Sequence, residues 1–397
     1  MFFFCFGIFI PDREFNCLDN IYANYEGNVE ELDMKEVLKY ELGPTPWSLS
    51  THDGMLRKTN KASLSQEIEK LGTPVEDLMP NSAYIFDGMN LVQKTKGDNK
   101  TLQDIAKSIF SRVLAEGQAY IRIDVVFDTY LELSVKNMER KHRGETDACV
   151  FKNLVPGHQV KKFSAFLKSS SNKKEFIRFL AQHWKTKEYR LQLENKVIYI
   201  AYDDICWKIS SKACQLVEDL QSDHEEADTR LLLHAKHAAN EGVSSILIEC
   251  EDSDVMMLLL AYSEEIKCKM YMKRGTLNRM RIIDIGEIRN TLSDGIAKAL
   301  PGYHAFTGCD SVSAFAGKGK LAGFRLLKRE PRFQEAFQIL GQSLNVPEPT
   351  IEVLEEFVCC LYGINVSNVT DLRYILFCAK GGEIGSHLLP PSKACLH

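Results

Sequence analysis

Tyr84-Ile85-Phe86-Asp87-Gly88-Met89-Asn90 decides the fold. A brief apolar run closes on an acid, and the pattern comes back along the chain. Asp124-Val125-Val126-Phe127-Asp128 is a second such run. Ser244–Ile248 is a third, leading into Glu249-Cys250-Glu251-Asp252. Leu102–Glu116, between the first two, carries apolar residues at helical spacing. Short apolar runs separated by helix are the grammar of a mostly parallel sheet buried on both faces. The expected fold is therefore α/β, a mostly parallel central sheet flanked by helices, with a helical C-terminal appendage.

The 397 residues are 45% hydrophobic and 26% charged, which supplies a core and excludes a disordered, coiled-coil, collagen-like or polytopic membrane chain. A net charge of −5 argues against nucleic-acid binding by bulk charge, though not against a local basic groove. The 12 cysteines include no C-x-x-C pair, which fits a reducing compartment and disfavours a zinc site of sequence-local ligands. The apolar start, Met1–Ile10, lacks a basic flank and a cleavage site and is too short to span a bilayer. It reads as a buried strand or a gene-model artefact rather than a targeting signal. The sequons at Asn99, Asn365 and Asn368 carry little weight without such a signal.

Residues 1–80 read as an N-terminal extension, punctuated by Gly43-Pro44-Thr45-Pro46-Trp47, with a short helix over Ser63–Leu71. Residues 81–330 read as the α/β domain and 331–397 as the appendage, with helices over Thr350–Tyr362 and Asp371–Ala379 and no visible closing cap, as in a truncated product. Within 81–330, residues 145–200 form a basic helical insertion. There Lys161, Lys162, Lys168, Lys173, Lys174, Arg178, Lys185, Lys187 and Arg190 interleave with Phe163, Phe166, Phe176, Phe179 and Trp184. This is either an amphipathic helical pair with a solvated lysine face or a phosphate-binding arch. Ser169-Ser170-Ser171 marks a mobile loop.

Open α/β sheets place their sites at the carboxyl ends of the strands. Acids stand at these ends: Asp87, Asp128, and Asp252 with Asp254. Glu226 and Asp228 open an evident helix, and Asp310 follows a further apolar stretch. Any one of them has a bland reading, as a turn residue or a helix-dipole partner. Converging, they would repel: two unit charges 4 Å apart cost about 4 kcal/mol at an effective dielectric of about 20. Such a cluster must protonate or bind cations. An all-oxygen donor set selects Mg²⁺ or Mn²⁺, and two such ions suit phosphodiester hydrolysis.

Taken together, these residues resemble the flap endonuclease/XPG group of the PIN-like nuclease superfamily, over roughly 83–330. Tyr84–Asn90 is similar to that group's first strand and first metal-binding aspartate. Val125–Asp128, followed by Lys136, Arg140, Lys141 and Arg143, is similar to its second aspartate and basic helix. Glu225-Glu226-Ala227-Asp228 is similar to its Glu-Ala-Glu helix start, and Glu251–Val255 to its Glu-Asp-x-Asp strand end. Gly308–Lys320 is similar to its last aspartate leading into a helix–two-turn–helix. The resemblance implies one ion held by Asp87, Asp128, Glu226 and Asp228, and another by Asp228, Asp252, Asp254 and Asp310. It implies Lys136 and Arg140 as the clamp on the scissile phosphate, and Arg143, Gly317, Lys318, Gly319 and Lys320 as nucleic-acid contacts. The chain departs from the group in its long extension, in Asp228 for the usual Glu, in the offset of the basic residues from Asp128, and in the composition of the Gly-x-Gly loop.

Other motifs have weaker chemistry. Gly317-Lys318-Gly319-Lys320 lacks P-loop spacing, so no nucleotide cofactor is expected. His234 and His237 read as helix-surface histidines rather than ligands. Cys309 reads as a small buried residue at a strand-to-turn junction, and Met256, Met257, Leu258 and Leu259 as core. The leading reading is a divalent-metal-dependent nuclease acting on DNA, rather than RNA, or on structured nucleic acid. The alternative is an inactive PIN-like scaffold that binds nucleic acid or protein. An intracellular, nuclear location fits either.

Overall fold

The computed structural model describes residues 33–75, 81–130, 151, 153–275, 279–340, 342 and 345–396. The chain divides into two compact units: Glu69–Thr291, and the two segments Met1–Ile68 and Leu292–His397 taken together.

Glu69–Thr291 is built on an eight-stranded sheet. Its strands are β1 (Ser82–Asp87), β2 (Arg122–Val126), β3 (Val197–Tyr202), β4 (Ile205–Ser210), β5 (Cys214–Leu216), β6 (Ser245–Glu249), β7 (Lys269–Arg274) and β8 (Arg281–Asp284), in the order β8-β7-β6-β1-β2-β3-β4-β5. The inner pairs β7–β6, β6–β1, β1–β2 and β2–β3 are parallel, and antiparallel hairpins finish both edges. The mostly parallel sheet flanked by helices is thus present. Strands β1 and β6 are near-continuous apolar runs because both faces are covered, and β2 is one only at Ile123, Val125 and Val126, with the charged Arg122 and Asp124 buried among them.

Five helices matter to the site: α1 (Gly88–Gln93), α2 (Leu102–Glu116), α3 (Ser170–Trp184), α4 (Ala227–Asn240) and α5 (Ser253–Ile266). On one face, Tyr84, Phe86, Ile123 and Val125 share a core with Ile105, Ile109 and Phe110 of α2 and with Phe176, Leu180 and Trp184 of α3. The segment expected to hold a mobile loop instead begins α3: Ser169 caps it, its hydroxyl accepting from Asn172 N at 3.4 Å. Phe163, Phe166, Phe176, Phe179 and Trp184 are all buried. Of the two readings of the basic segment, the aromatics take the amphipathic one, and Lys161, Lys162, Lys168 and Lys187 lie on its exposed side.

A polar knot lies under the other face. Arg122 donates to both carboxylate oxygens of Asp124 (2.9 and 2.7 Å), and His234 Nδ1 lies 2.7 Å from Asp124 Oδ2. His234 is fully buried, and His237 approaches Arg122 Nη1 at 2.9 Å. The expectation of two surface histidines is therefore corrected. A helix packed on a charged strand buries the residue that answers the charge.

The second unit is helical: α6 (Asp294–Phe306), α7 (Lys320–Arg329), α8 (Pro331–Ile339), α9 (Glu348–Leu361) and α10 (Val369–Ala379). Tyr303, Phe333 and Phe337 gather on Phe357, with Phe337 4.9 Å and Phe333 5.3 Å from it between ring centroids. Arg373 is buried, donating to Leu38 O (2.7 Å), Tyr40 O (2.8 Å) and Pro390 O. The expected boundaries at 80 and 330 are corrected by this packing. Residues 292–330 belong with the last helices and with the segment before Ile68, and the C-terminal segment is tied in by Arg373. Cys309 is half-buried in a turn after α6, not at the end of a strand.

Among the described residues no helix is long and apolar enough to cross a membrane, and the cysteines are free thiols.

Candidate active site

From β1 the chain winds through β2 and β3 to one side, and then from β6 to β7 on the other. The two directions part between β1 and β6, which makes the carboxyl ends of these strands the crevice where an α/β sheet binds ligands. Asp87 closes β1 and caps α1. Its Oδ1 accepts from Met89 N (3.0 Å) and Asn90 N (3.1 Å). Gly88 is required beside it, because a Cβ there would meet the Phe127 ring at 2.5 Å.

Asp128, two residues past β2, accepts from Ala227 N at 2.9 Å, which pins the end of β2 to the start of α4. Glu226 is the cap position of α4 and Asp228 lies in its first turn. Arg230, fully buried one turn on, donates to Asp203 O (2.6 Å) and Ile205 O (3.3 Å). Asp252 caps α5, accepting from Asp254 N at 2.9 Å, and Asp254 lies in the first turn.

Cys250 stands between these acids, and sequence reasoning gave it no role. Its thiol donates to Asp87 Oδ2 at 3.5 Å and its sulfur accepts from Asp252 N at 3.4 Å. Burial raises the thiol well above its ordinary range, and the charges of Asp87, Asp228 and Asp252 push the same way. Burial also lifts the Asp87 carboxyl to about 6, with the charge of Asp128 adding to it. The structure therefore brings Asp87, Asp128, Asp228 and Asp252 into one electrostatic neighbourhood. The only sequence signal for Cys250 was its place one residue past the strand.

Glu251 does not join them. Both its oxygens accept from Gly275 N (3.0 Å each), and Lys94 donates to it at 3.2 Å. Asp310 lies in the helical unit, ion-paired to Lys61 at 2.7 Å. Lys136, Arg140 and Arg143 lie outside the described residues.

In the helical unit, Gly317 and Gly319 are exposed ahead of α7, and Gly317 has φ +67° with open space around its Cβ position. Lys318 lies 4.2 Å over the Tyr362 ring, and burial lowers its pKa. Lys320 is corrected as a nucleic-acid contact. It is buried, and its ammonium donates to His304 O (2.6 Å) and Thr307 Oγ1 (2.9 Å).

Among the described residues, no three His, Cys, Asp or Glu side chains are so arranged as to hold a metal ion. The chemistry of the acidic set nevertheless suits one. Asp87 is an acid held near neutrality by burial and by a second acid, a charge excess that a hard cation relieves through oxygen donors.

No family model and no curated protein matches the chain. Among solved structures it is similar to the catalytic core of Rad2 in complex with DNA substrate. Complex II matches with 12% identity and a TM-score of 0.40, covering 81% of this chain and 95% of that one. Complex III matches with 11% identity and a TM-score of 0.40, covering 82% and 96%. Complex IV matches with 12% identity and a TM-score of 0.38, covering 81% and 95%.

Proposed function

We propose that the Glu69–Thr291 unit is a divalent-metal-dependent nuclease that hydrolyses phosphodiester bonds, with DNA or structured nucleic acid as substrate. The observation that carries this is Asp87, at the switch point of the sheet, with its carboxyl raised by burial and by Asp128. An acid kept at such a cost is expected where cations are bound.

Asp87, Asp128, Glu226 and Asp228 are the groups assigned to one Mg²⁺ or Mn²⁺, and Asp228, Asp252 and Asp254 to a second. Asp310 is assigned to the second ion on the sequence resemblance. Bound, such ions supply an activated water and charge on the leaving oxygen. The chain's own contribution is orientation. The Met89 and Asn90 amides and the Cys250 thiol fix the Asp87 carboxylate, the Asp254 amide fixes Asp252, and the Ala227 amide fixes Asp128. Lys136 and Arg140 are assigned to the scissile phosphate, where a cation steadies the charge that develops in the transition state.

A second reading, the inactive scaffold, is favoured by one observation: no described trio of acids closes on a common point. Labelled flap, hairpin and single-stranded substrates with Mn²⁺ or Mg²⁺ separate the two. Wild type should cleave, and the Asp252→Asn/Asp254→Asn double variant should lose about 100-fold or more. Binding of the same substrates without cleavage by folded wild type overturns the nuclease and leaves the scaffold.

A further inference from the structure

We propose that the helical unit carries a pocket for a nucleoside phosphate, formed by the N-terminal segment against the C-terminal turn. This does not depend on the metal-site reading. A cavity of about 370 Å³ opens among Trp47, Thr51, His52, Arg57, Ser386 and His387, all within that unit. One wall is a hairpin closed by the Ser50–Leu56 bridge, and the other is the turn Ser386–Leu388.

Arg57 is held from behind. Its Nε donates to Trp47 O (2.9 Å), its amide donates to Ser313 Oγ (3.1 Å), and its carbonyl accepts from Ala314 N (2.9 Å). Among the described residues, neither guanidinium Nη takes a hydrogen bond, and the rings of His52 and His387 take none. Three basic side chains with uncommitted donors therefore line one cavity, and no carboxylate lines it. Asp53, next to His52, is engaged by the Thr51 hydroxyl.

A guanidinium with both Nη atoms available is a fork for a phosphate, and a tryptophan beside it is a stacking wall for a base. The volume lies toward the low end of the roughly 300–1,000 Å³ typical of small-molecule sites. That is too roomy for a lone anion and suits one nucleotide. The phosphate can come from a free mononucleotide or from the end of a strand.

The test titrates the full chain with a nucleoside monophosphate, with a short 5′-phosphorylated oligonucleotide and with inorganic phosphate, by calorimetry and tryptophan fluorescence. At least one of the first two should bind and quench. Trp47→Phe should remove the quench, since Trp184 and Trp207, the other two tryptophans, belong to the Glu69–Thr291 unit. Arg57→Gln should weaken binding about tenfold or more through loss of the charge-assisted pair. If Arg57→Gln melts early, His387→Ala, an exposed position, is read in its place and should weaken binding. Quenching by the mononucleotide assigns the pocket to free nucleotide, and quenching by the oligonucleotide alone assigns it to a strand end. No binding of either, equal binding of inorganic phosphate, or binding unchanged in all the pocket variants overturns the proposal.

Discussion

Asp87→Asn should stabilise the metal-free protein at neutral pH. Asparagine is isosteric and caps a helix as well as aspartate does, so the bonds from Met89 and Asn90 survive. What changes is ionisation. The carboxyl sits at about 6 in the fold, against about 3.9 for an ordinary aspartate. Between these values the folded chain holds a proton that the unfolded chain has released. Stability from this group is therefore present below the lower value, falls as pH rises through the interval, and stays low at pH 7. The difference corresponds to about 3 kcal/mol, at about 1.36 kcal/mol per factor of ten in proton affinity. Asparagine escapes this loss.

Urea unfolding in a Trp47→Phe background, with chelator, reads the sheet unit alone, because Trp184 and Trp207 both lie in it. The variant should exceed its parent by about 2–3 kcal/mol at pH 7 and match it near pH 4. Mn²⁺ at pH 7 should then stabilise the parent more than the variant. A variant equal to or weaker than its parent at pH 7, with the same gap near pH 4, refutes the argument. The Asp87 charge would then be unstrained, and the case for a cation would lose its electrostatic ground.

Arg122→Ala leaves Asp124 buried without its bidentate partner and should cost about 3–5 kcal/mol in the same unfolding measurement. Gly88→Ala drives a methyl into the Phe127 ring and should cost about 1–3 kcal/mol, lowering the urea midpoint without altering the slope. Lys320→Met removes two donors from the end of α6 and should cost about 1–3 kcal/mol. It should leave unchanged the slope of log affinity against log salt for any nucleic acid bound, because a buried ammonium contacts no phosphate. A slope reduced by about one would return Lys320 to the interface.

The parts of the fold legible in sequence are those whose burial is uniform. Strands β1 and β6 are covered on both faces and so read as apolar runs, and β2 was legible from Val125 and Val126 despite Arg122 and Asp124. Helix α2 has the bounds expected of it because Thr101 caps its start and Gly117 its end. Strand β4 buries only Cys206 and Ile209 and carries Lys208, and β7 ends in Lys273 and Arg274. Those two cations are held by Glu116 and Glu249, and by Glu69, acids distant in sequence, so nothing local marks the strand. The same distance hid the unit boundary, since Arg373 binds carbonyls more than 330 positions earlier. At the site, the acids were legible because strand ends were. The burial of Lys320 was not legible because it belongs to a helical unit whose packing has no period-two signature.

Lys320 and Asp87 show what separates a charge in service of the fold from one in service of a ligand. A helix leaves unpaired carbonyls at its end and unpaired amides at its start. Lys320 spends its ammonium on the last turn of α6, where His304 O and Thr307 Oγ1 take two of its three protons within a buried site. Little of that cation remains to act elsewhere. Asp87 caps α1 with Oδ1 alone and leaves Oδ2 to the weak Cys250 thiol. Capping thus fixes the plane of the carboxylate without exhausting it. The residual charge, raised toward neutrality by its surroundings, is the part that folding does not explain.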